Sequence, residues 1–284
     1  MPFTRRGKCA CAASLLALGT TLAATTARAV TVSDGGHGTF SDPTRIDNRW
    51  FPLTPGTQFT YEGEANRGKG QRRHRVVFTV TDLVKVIDGV RTVLLWDRDY
   101  NAGVLQENEI TFHAQDDEGT VWNFGEYPEE YRRGKLSGAP DTWLAGTARA
   151  RAGIVMLAQP RLGTPSYLQG FAPAIEFADR ARVYRMRLKT CVPVDCYGNV
   201  LLTDEWNPAE PGAHQRKYYA SGVGNIRIGS AGKDAEAETL VLTKVRRLSR
   251  PAMAFVGREA LKLDARAYRV RPDVYGHTPP AQRM

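Results

Sequence analysis

Along two long tracts of this chain, apolar and polar residues alternate with a period of two, the spacing of strands that bury one face. The first tract reads as strands over residues 58–62, 76–87, 90–99, 104–115 and 120–127; the second reads as strands over 180–192, 199–206, 215–220, 224–228 and 237–248. The links are short and carry turn chemistry. Asp88-Gly89 suits a two-residue type I′ hairpin, Asn101-Ala102-Gly103 a second turn and Asp116-Asp117-Glu118-Gly119 a third, because Gly accepts positive φ and Asp caps its own backbone. Between the tracts, residues 128–178 are charged and broken by Gly and Pro, and Pro173 limits any helix around Tyr167, Leu168, Phe171 and Ile175 to a turn or two. The expected fold class is mainly β: an antiparallel meander forming a barrel, a half-barrel or a two-sheet sandwich, with a loop-rich insertion and little helix.

The third turn organises the rest. A four-residue connection at 116–119 sets Gln115 against Thr120, His113 against Trp122, Thr111 against Phe124 and Glu109 against Glu126, all on one side of the ribbon. Ile110, Phe112, Ala114 and Val121 then form the core side. The mixed side, with its two carboxylates, imidazole and aromatics, is the candidate functional surface.

The first 29 residues change the picture of location. Arg5, Arg6 and Lys8 precede an apolar or small run from Cys9 to Thr25, and Ala27-Arg28-Ala29 fits a small-x-small cleavage site before Val30. That is the grammar of a secretory signal peptide, so the expected location is secreted or periplasmic, with no transmembrane segment in the mature chain. Removing that segment takes Arg5, Arg6, Lys8 and Arg28 and no acid from a net charge of +9, leaving +5. The remaining excess gathers at 249–284, which reads as a solvated basic tail following a single β-rich domain over 49–248; residues 30–48 read as flexible. No RNP, zinc-finger or helix-turn-helix pattern is present, and nucleic acid is not an expected partner. Cys9 and Cys11 leave with the leader, so Cys191 and Cys196 are expected to form a local disulfide, with a structural metal as the alternative.

Three groups of residues carry a resemblance. Trp50-Phe51-Pro52-Leu53 with Pro55-Gly56-Thr57, then Ala114-Gln115-Asp116 with Gly119, Val121-Trp122 and Phe124-Gly125-Glu126, and finally Lys217-Tyr218-Tyr219-Ala220 with Gly222-Val223-Gly224, resemble a group of secreted bacterial β-rich proteins of unassigned activity. The resemblance spans about residues 48 to 230 and implies an exported β protein. Its members usually carry an aromatic where His113 stands and lack the Cys191 and Cys196 pair.

Candidate chemistry is sparse. Glu109 and Glu126, if opposed, need a shared proton, water or a cation between them, and a shared proton would make an acid/base couple of the kind that hydrolyses glycosides. The plainer reading pairs them with Arg98, Arg132 or Arg133. His113, Trp122 and Phe124 could line a ligand site, while His74 stands among Arg72, Arg73 and Arg75, where like charge favours its neutral form. His37 and His214 say little alone. No nucleophile elbow, P-loop, dinucleotide fingerprint or zinc-binding helix is present, so no cofactor or metal is expected. The leading expectation is a non-catalytic binding protein for a small apolar or amphipathic molecule. A hydrolase of an extracytoplasmic glycan or ester, using Glu109 and Glu126, is the runner-up, and a structural or adhesion protein the third.

Overall fold

The structure, a computed structural model, describes residues 38–66, 70–234 and 237–284; the expected signal peptide and His37 lie outside them. The first tract is a five-stranded meander of β1 (Thr57–Asn66), β2 (Gln71–Ile87), β3 (Val90–Asn101), β4 (Val104–Gln115) and β5 (Val121–Arg132). Five short strands follow: β6 (Lys135–Gly138), β7 (Trp143–Leu144), β8 (Arg151–Met156), β9 (Tyr167–Leu168) and β10 (Gly170–Phe171). The second tract gives β11 (Arg180–Val192), β12 (Asp195–Trp206), β13 (Ala213–Ala220), β14 (Gly224–Gly232) and β15 (Glu238–Arg247). The chain ends in α1 (Arg250–Val270), α2 (Pro272–Tyr275) and β16 (Gln282–Arg283). Asp88 and Gly89 take φ of 50° and 77°, the left-handed pair that a type I′ turn needs. Cys191 and Cys196 face each other across β11 and β12 and are joined as a disulfide.

The two tracts form one antiparallel sheet, joined where β1 pairs with β15. Its order is β10-β8-β5-β4-β3-β2-β1-β15-β14-β13-β12-β11-β9, and the ladder does not close into a barrel. The two ends are neighbouring dipeptides, Gly170–Phe171 on β8 and Tyr167–Leu168 on β11. Side chains from distant parts of this order, Tyr61, Leu95, Val121, Val183, Leu201 and Tyr219 among them, pack in one cluster, so the sheet curls around its own inner face.

The outer face of β2 to β5 needs a separate cover. Leu83, Leu94, Ile110, Phe112 and Phe124 pack there against Val256, Ala260, Leu263 and Ala267 of α1 and against Tyr275. This corrects the solvated-tail expectation for residues 249–284. Ser249 caps the helix by accepting from the Ala252 amide, Pro251 sits in its first turn, and the buried positions recur every three or four residues. The Arg and Lys residues that made the segment look like a tail mostly occupy the opposite, solvated stripe. A buried ion pair fastens the helix to β2: Lys85 Nζ, on a residue only 1% exposed, donates to Asp264 Oδ1 at 2.9 Å, to the Tyr268 hydroxyl at 2.9 Å and to the Pro279 carbonyl at 2.8 Å.

Residues 38–48, expected to be flexible, are strapped over the central hairpin. The Asp117 amide donates to the Thr39 carbonyl at 2.8 Å, and the Gln115 amide donates to the Pro43 carbonyl at 3.0 Å. Phe40 packs edge-on to Phe124, and Ile46 bridges Leu53. Low periodicity gave no sign of this, because the order comes from remote partners rather than from local pattern.

Removing one member of a buried ion pair leaves the other uncompensated, at a cost of roughly 3–5 kcal/mol. Lys85→Met is expected to lower the urea unfolding free energy by that amount, and Lys85→Met with Asp264→Leu to recover most of it. Single-variant stability equal to that of the parent would mean that apolar packing alone holds α1.

Candidate functional site

The site is built on the hairpin of β4 and β5, and its register differs from the expected one. The connection is five residues, Asp116 to Thr120, because the Asp116 carboxylate gathers it. Oδ1 accepts from the amides of Glu118 at 3.1 Å and Thr120 at 2.8 Å, and Oδ2 accepts from Trp122 Nε1 at 2.8 Å. Gln115 therefore pairs with Val121, Ala114 with Trp122 and His113 with Asn123. Trp122 and Phe124 fall on the helix-covered face with Phe112 and Ala114, away from His113.

A β-bulge then shifts the register a second time. It falls at Asn123, Phe124 and Gly125, after which Phe112 pairs with Gly125 and Thr111 with Glu126. Asn123 Oδ1 accepts from the Gly125 amide at 3.0 Å, and Gly125 sits at φ 141°, where a Cβ would lie 2.4 Å from the Trp143 carbonyl oxygen. The two shifts have opposite consequences. The longer loop removes the aromatics from the His113 side, and the bulge returns Glu126 to it. Glu109 and Glu126 do share a face, as diagonal neighbours, and Asp97 of β3 joins them directly opposite Glu109.

The result is a buried polar cluster on the inner face: Asp97, Glu109, Thr111, His113, Asn123 and Glu126, each at most 6% exposed. Burial, then the charge of Glu126 and that of Asp97, push the Glu109 carboxyl well above the usual range. Burial likewise pushes Glu126 up, with the nearby Trp143 indole working against the rise and the charges of Asp179, Glu107 and Asp141 adding to it. Asp97 is raised to about 7, chiefly by burial. His113 is driven the other way, down to about 3, because burial penalises imidazolium. Burial thus favours the protonated form of the three carboxyls and the neutral form of the imidazole. Four of its atoms, Asp97 Oδ1, Thr111 Oγ1, His113 Nδ1 and Glu126 Oε2, are buried without a hydrogen-bond partner, each a cost of roughly 1–3 kcal/mol.

An aromatic cleft adjoins the cluster. Phe51, Phe59, Tyr61, Phe78, Tyr219 and Ile228 line a cleft of about 490 Å³, counting the part open to solvent. Phe51 connects the two regions, with its ring centroid 5.8 Å from that of His113 and 6.3 Å from that of Tyr219. Tyr61 donates to the Asn225 carbonyl at 2.9 Å and feels the charge of Asp97. Further round the inner face, Lys217 and Glu205 form a buried pair at 2.7 Å. Alternation splits the adjacent acids Asp204 and Glu205: Asp204 lies on the other face with Arg182 and His214, while Glu205 turns in.

Sequence reasoning missed Asp97, which was legible once β3 was aligned on β4. Phe51 and Tyr219 stood only in the motifs of the resemblance and Tyr61 had no signal, because the three reach the cleft from separate parts of the chain. His74 is also corrected. It turns inward between Asp99 and Glu238, and although burial works to lower its pKa, the hydrogen bond to Glu238 and the charges of Asp99 and Glu238 outweigh that and raise it.

No family model matches the chain, and no curated protein matches it. Two solved structures align with it. One is a protein of Bacteroides fragilis NCTC 9343 described as exported with a YmcC-like fold, 12% identical, covering 70% of this chain and 100% of its own, with a TM-score of 0.40. The other is a protein of Parabacteroides distasonis ATCC 8503 described as a lipoprotein, 11% identical over the same shares, with a TM-score of 0.37. At those scores the likeness carries no functional argument, and the reading below rests on this chain's own residues. Among the described residues, no helix is long and apolar enough to cross a membrane.

A carboxyl whose folded pKa exceeds its unfolded one stabilises the fold at low pH. That contribution is intact below the unfolded value, 3.8 for an ordinary Asp, and is lost as pH rises through the folded value, about 7 for Asp97. Unfolding free energy is therefore expected to fall between about pH 5 and about pH 8, and Glu126→Gln to flatten that decline. Chemical denaturation at the two pH values checks it. A parent profile that rises with pH would mean that these carboxyls are ionised in the fold.

Proposed function

We propose that this is an exported protein that binds a small amphipathic molecule, its apolar part in the aromatic cleft and its polar end against the buried cluster. The observation that carries this reading is the set of four orphaned polar atoms on one inner face beside an aromatic cleft. A protein that held them only for its fold would lose stability at each, whereas a ligand bearing hydroxyl or amide groups would satisfy them. The leader-like N-terminal segment and the cysteine pair support export, since disulfides persist in oxidising compartments. A hydrolase remains the second reading, favoured by the meeting of Glu109 and Glu126 on one face. Against it, burial raises both carboxyls, which disfavours the ionised form that a base or nucleophile needs.

A short-chain monoacylglycerol, which joins an apolar chain to donor hydroxyls, is the probe of choice. Binding is expected to change the protein's intrinsic fluorescence. Thr111→Val is expected to weaken it about tenfold while leaving stability equal or higher, because the variant removes an unpaired hydroxyl at constant volume. Failure to bind that probe, together with no small molecule retained in native mass spectrometry of the purified protein, would sink the binding reading. For the hydrolase, ester and glycoside cleavage unaffected by Glu126→Gln would remove Glu126 from the chemistry.

A further inference from the structure

We propose that the outer face of β11 to β14 docks the protein on an anionic phospholipid surface. Helix α1 covers the outer side of β2 to β5, whereas the second tract carries cations on that side. Strand β11, RARVYRMRLKTCV, has five Arg and Lys residues and no acid. Val183, Leu201, Tyr219, Ile226 and Ile228 point into the inner core, so Arg182, Arg216 and Arg227 face out. Across the strands, Arg182, Asp204 and Arg216 stand in one row, and Arg185, Leu202, Tyr218 and Arg227 in the next. Three guanidiniums gather on the Tyr184 ring, Arg216 at 4.6 Å, Arg185 at 5.4 Å and Arg182 at 5.5 Å from its centroid, and Arg227 stacks on Tyr218 at 5.3 Å. The acid set among them, Asp204, is 1% exposed. It accepts from Arg182 at 2.7 Å and lies 3.6 Å from Arg216, so the charge turned to solvent is positive.

Cations on an edge strand often serve only to repel unwanted strand pairing. Among the described residues β9 pairs with β11 at Arg180 and Ala181 alone, so the rest of β11 is such an edge. Arg216 and Arg227, however, lie two and three strands inside the sheet, where no edge needs guarding. Register shifts at three places also make β11 a poor template for an added strand, which leaves its side-chain face as the surface on offer. The shape of the patch fits a planar array of phosphates. Strands lie about 4.8 Å apart, so the cations spread roughly 14 Å from β11 to β14, and also along β11 to Arg187 and Lys189. A linear polyanion meets cations along one line, whereas a lipid surface meets them all at once. Guanidiniums stack on the Tyr184 and Tyr218 rings, in the place a sugar ring would take. Tyr184, Trp206 and Tyr218 are half-buried, amphipathic rings of the kind that favour a headgroup layer. This face lies on the opposite side of the sheet from the ligand cleft, and either reading can fail alone.

The test is co-sedimentation of the full mature chain with vesicles of phosphatidylglycerol and phosphatidylcholine in equal parts, and with vesicles of phosphatidylcholine alone. Binding to the anionic vesicles and not to the neutral ones is expected, falling with added salt and surviving inorganic phosphate at the same phosphorus concentration. Arg185→Gln with Arg227→Gln changes two exposed side chains and is expected to weaken vesicle binding at least about tenfold. Arg258→Gln with Lys262→Gln removes the same charge from the solvated stripe of α1 and is expected to leave binding nearly unchanged. No binding to the anionic vesicles, equal binding to the neutral ones, displacement by inorganic phosphate, or the same affinity in the two double variants would overturn the proposal. Binding to soluble polygalacturonate in place of the vesicles would overturn it too, because the partner would then be a linear polyanion.

Discussion

The hydrogen bonds of one carboxylate, that of Asp116, decide the geometry on which the inner cluster depends. By collecting two backbone amides and the Trp122 indole, it makes the β4–β5 connection five residues long and seats Trp122 on the helix-covered side. Side chains alternate with period two, so a one-residue change in that loop reverses the face of every residue that follows it. The bulge at Asn123 to Gly125 reverses the remainder again. What reaches the interior is therefore an alternation cut in two, with Asn123 delivered by the loop and Glu126 by the bulge.

The sheet must bury two faces, and it does so by different means. Its inner face is covered by its own curvature, which brings Tyr61 and Leu95 of the meander against Leu201 and Tyr219 of the second tract. Curvature cannot cover the convex side of β2 to β5, and α1 does that instead. Two ion pairs fasten it: Lys85 with Asp264, and Arg266 with the buried Glu129, whose carboxylate also accepts from the Tyr127 and Tyr131 hydroxyls at 2.7 and 2.8 Å. Such pairs are worth little net when the desolvation of both partners is counted, but they set position, because a displaced helix would strand a buried charge.

Energetically, the inner face divides. Around Phe51, Phe59 and Tyr219 it is apolar and behaves as core that opens into a cleft, whereas around Asp97, Glu109 and Glu126 it concentrates carboxyls that water no longer solvates. Charged, they would repel; protonated, they become neutral donors and acceptors at close quarters. Polar groups placed so expensively are where a fold and a function diverge, since an apolar replacement of the same size would pack as well or better.

Alternation and turn chemistry, both local, determined the strands. The five-stranded meander, the Asp88-Gly89 turn, the Cys191–Cys196 link and the second tract could be read directly, because a period of two and a Gly at positive φ need no partner to be recognised. Face assignment was legible only up to the first ambiguous loop. Whether Thr120 belonged to the turn or the strand depended on what Asp116 would bond, and the bulge falls where β7 closes on Gly125. Tertiary structure alone decided that residues 249–284 form a covering helix, that residues 38–48 strap the hairpin, that Phe51 reaches His113 and that Asp97 meets Glu109. Each of those outcomes is a contact between residues far apart in sequence, and the free energy that selects it resides in the partner, which no local pattern contains.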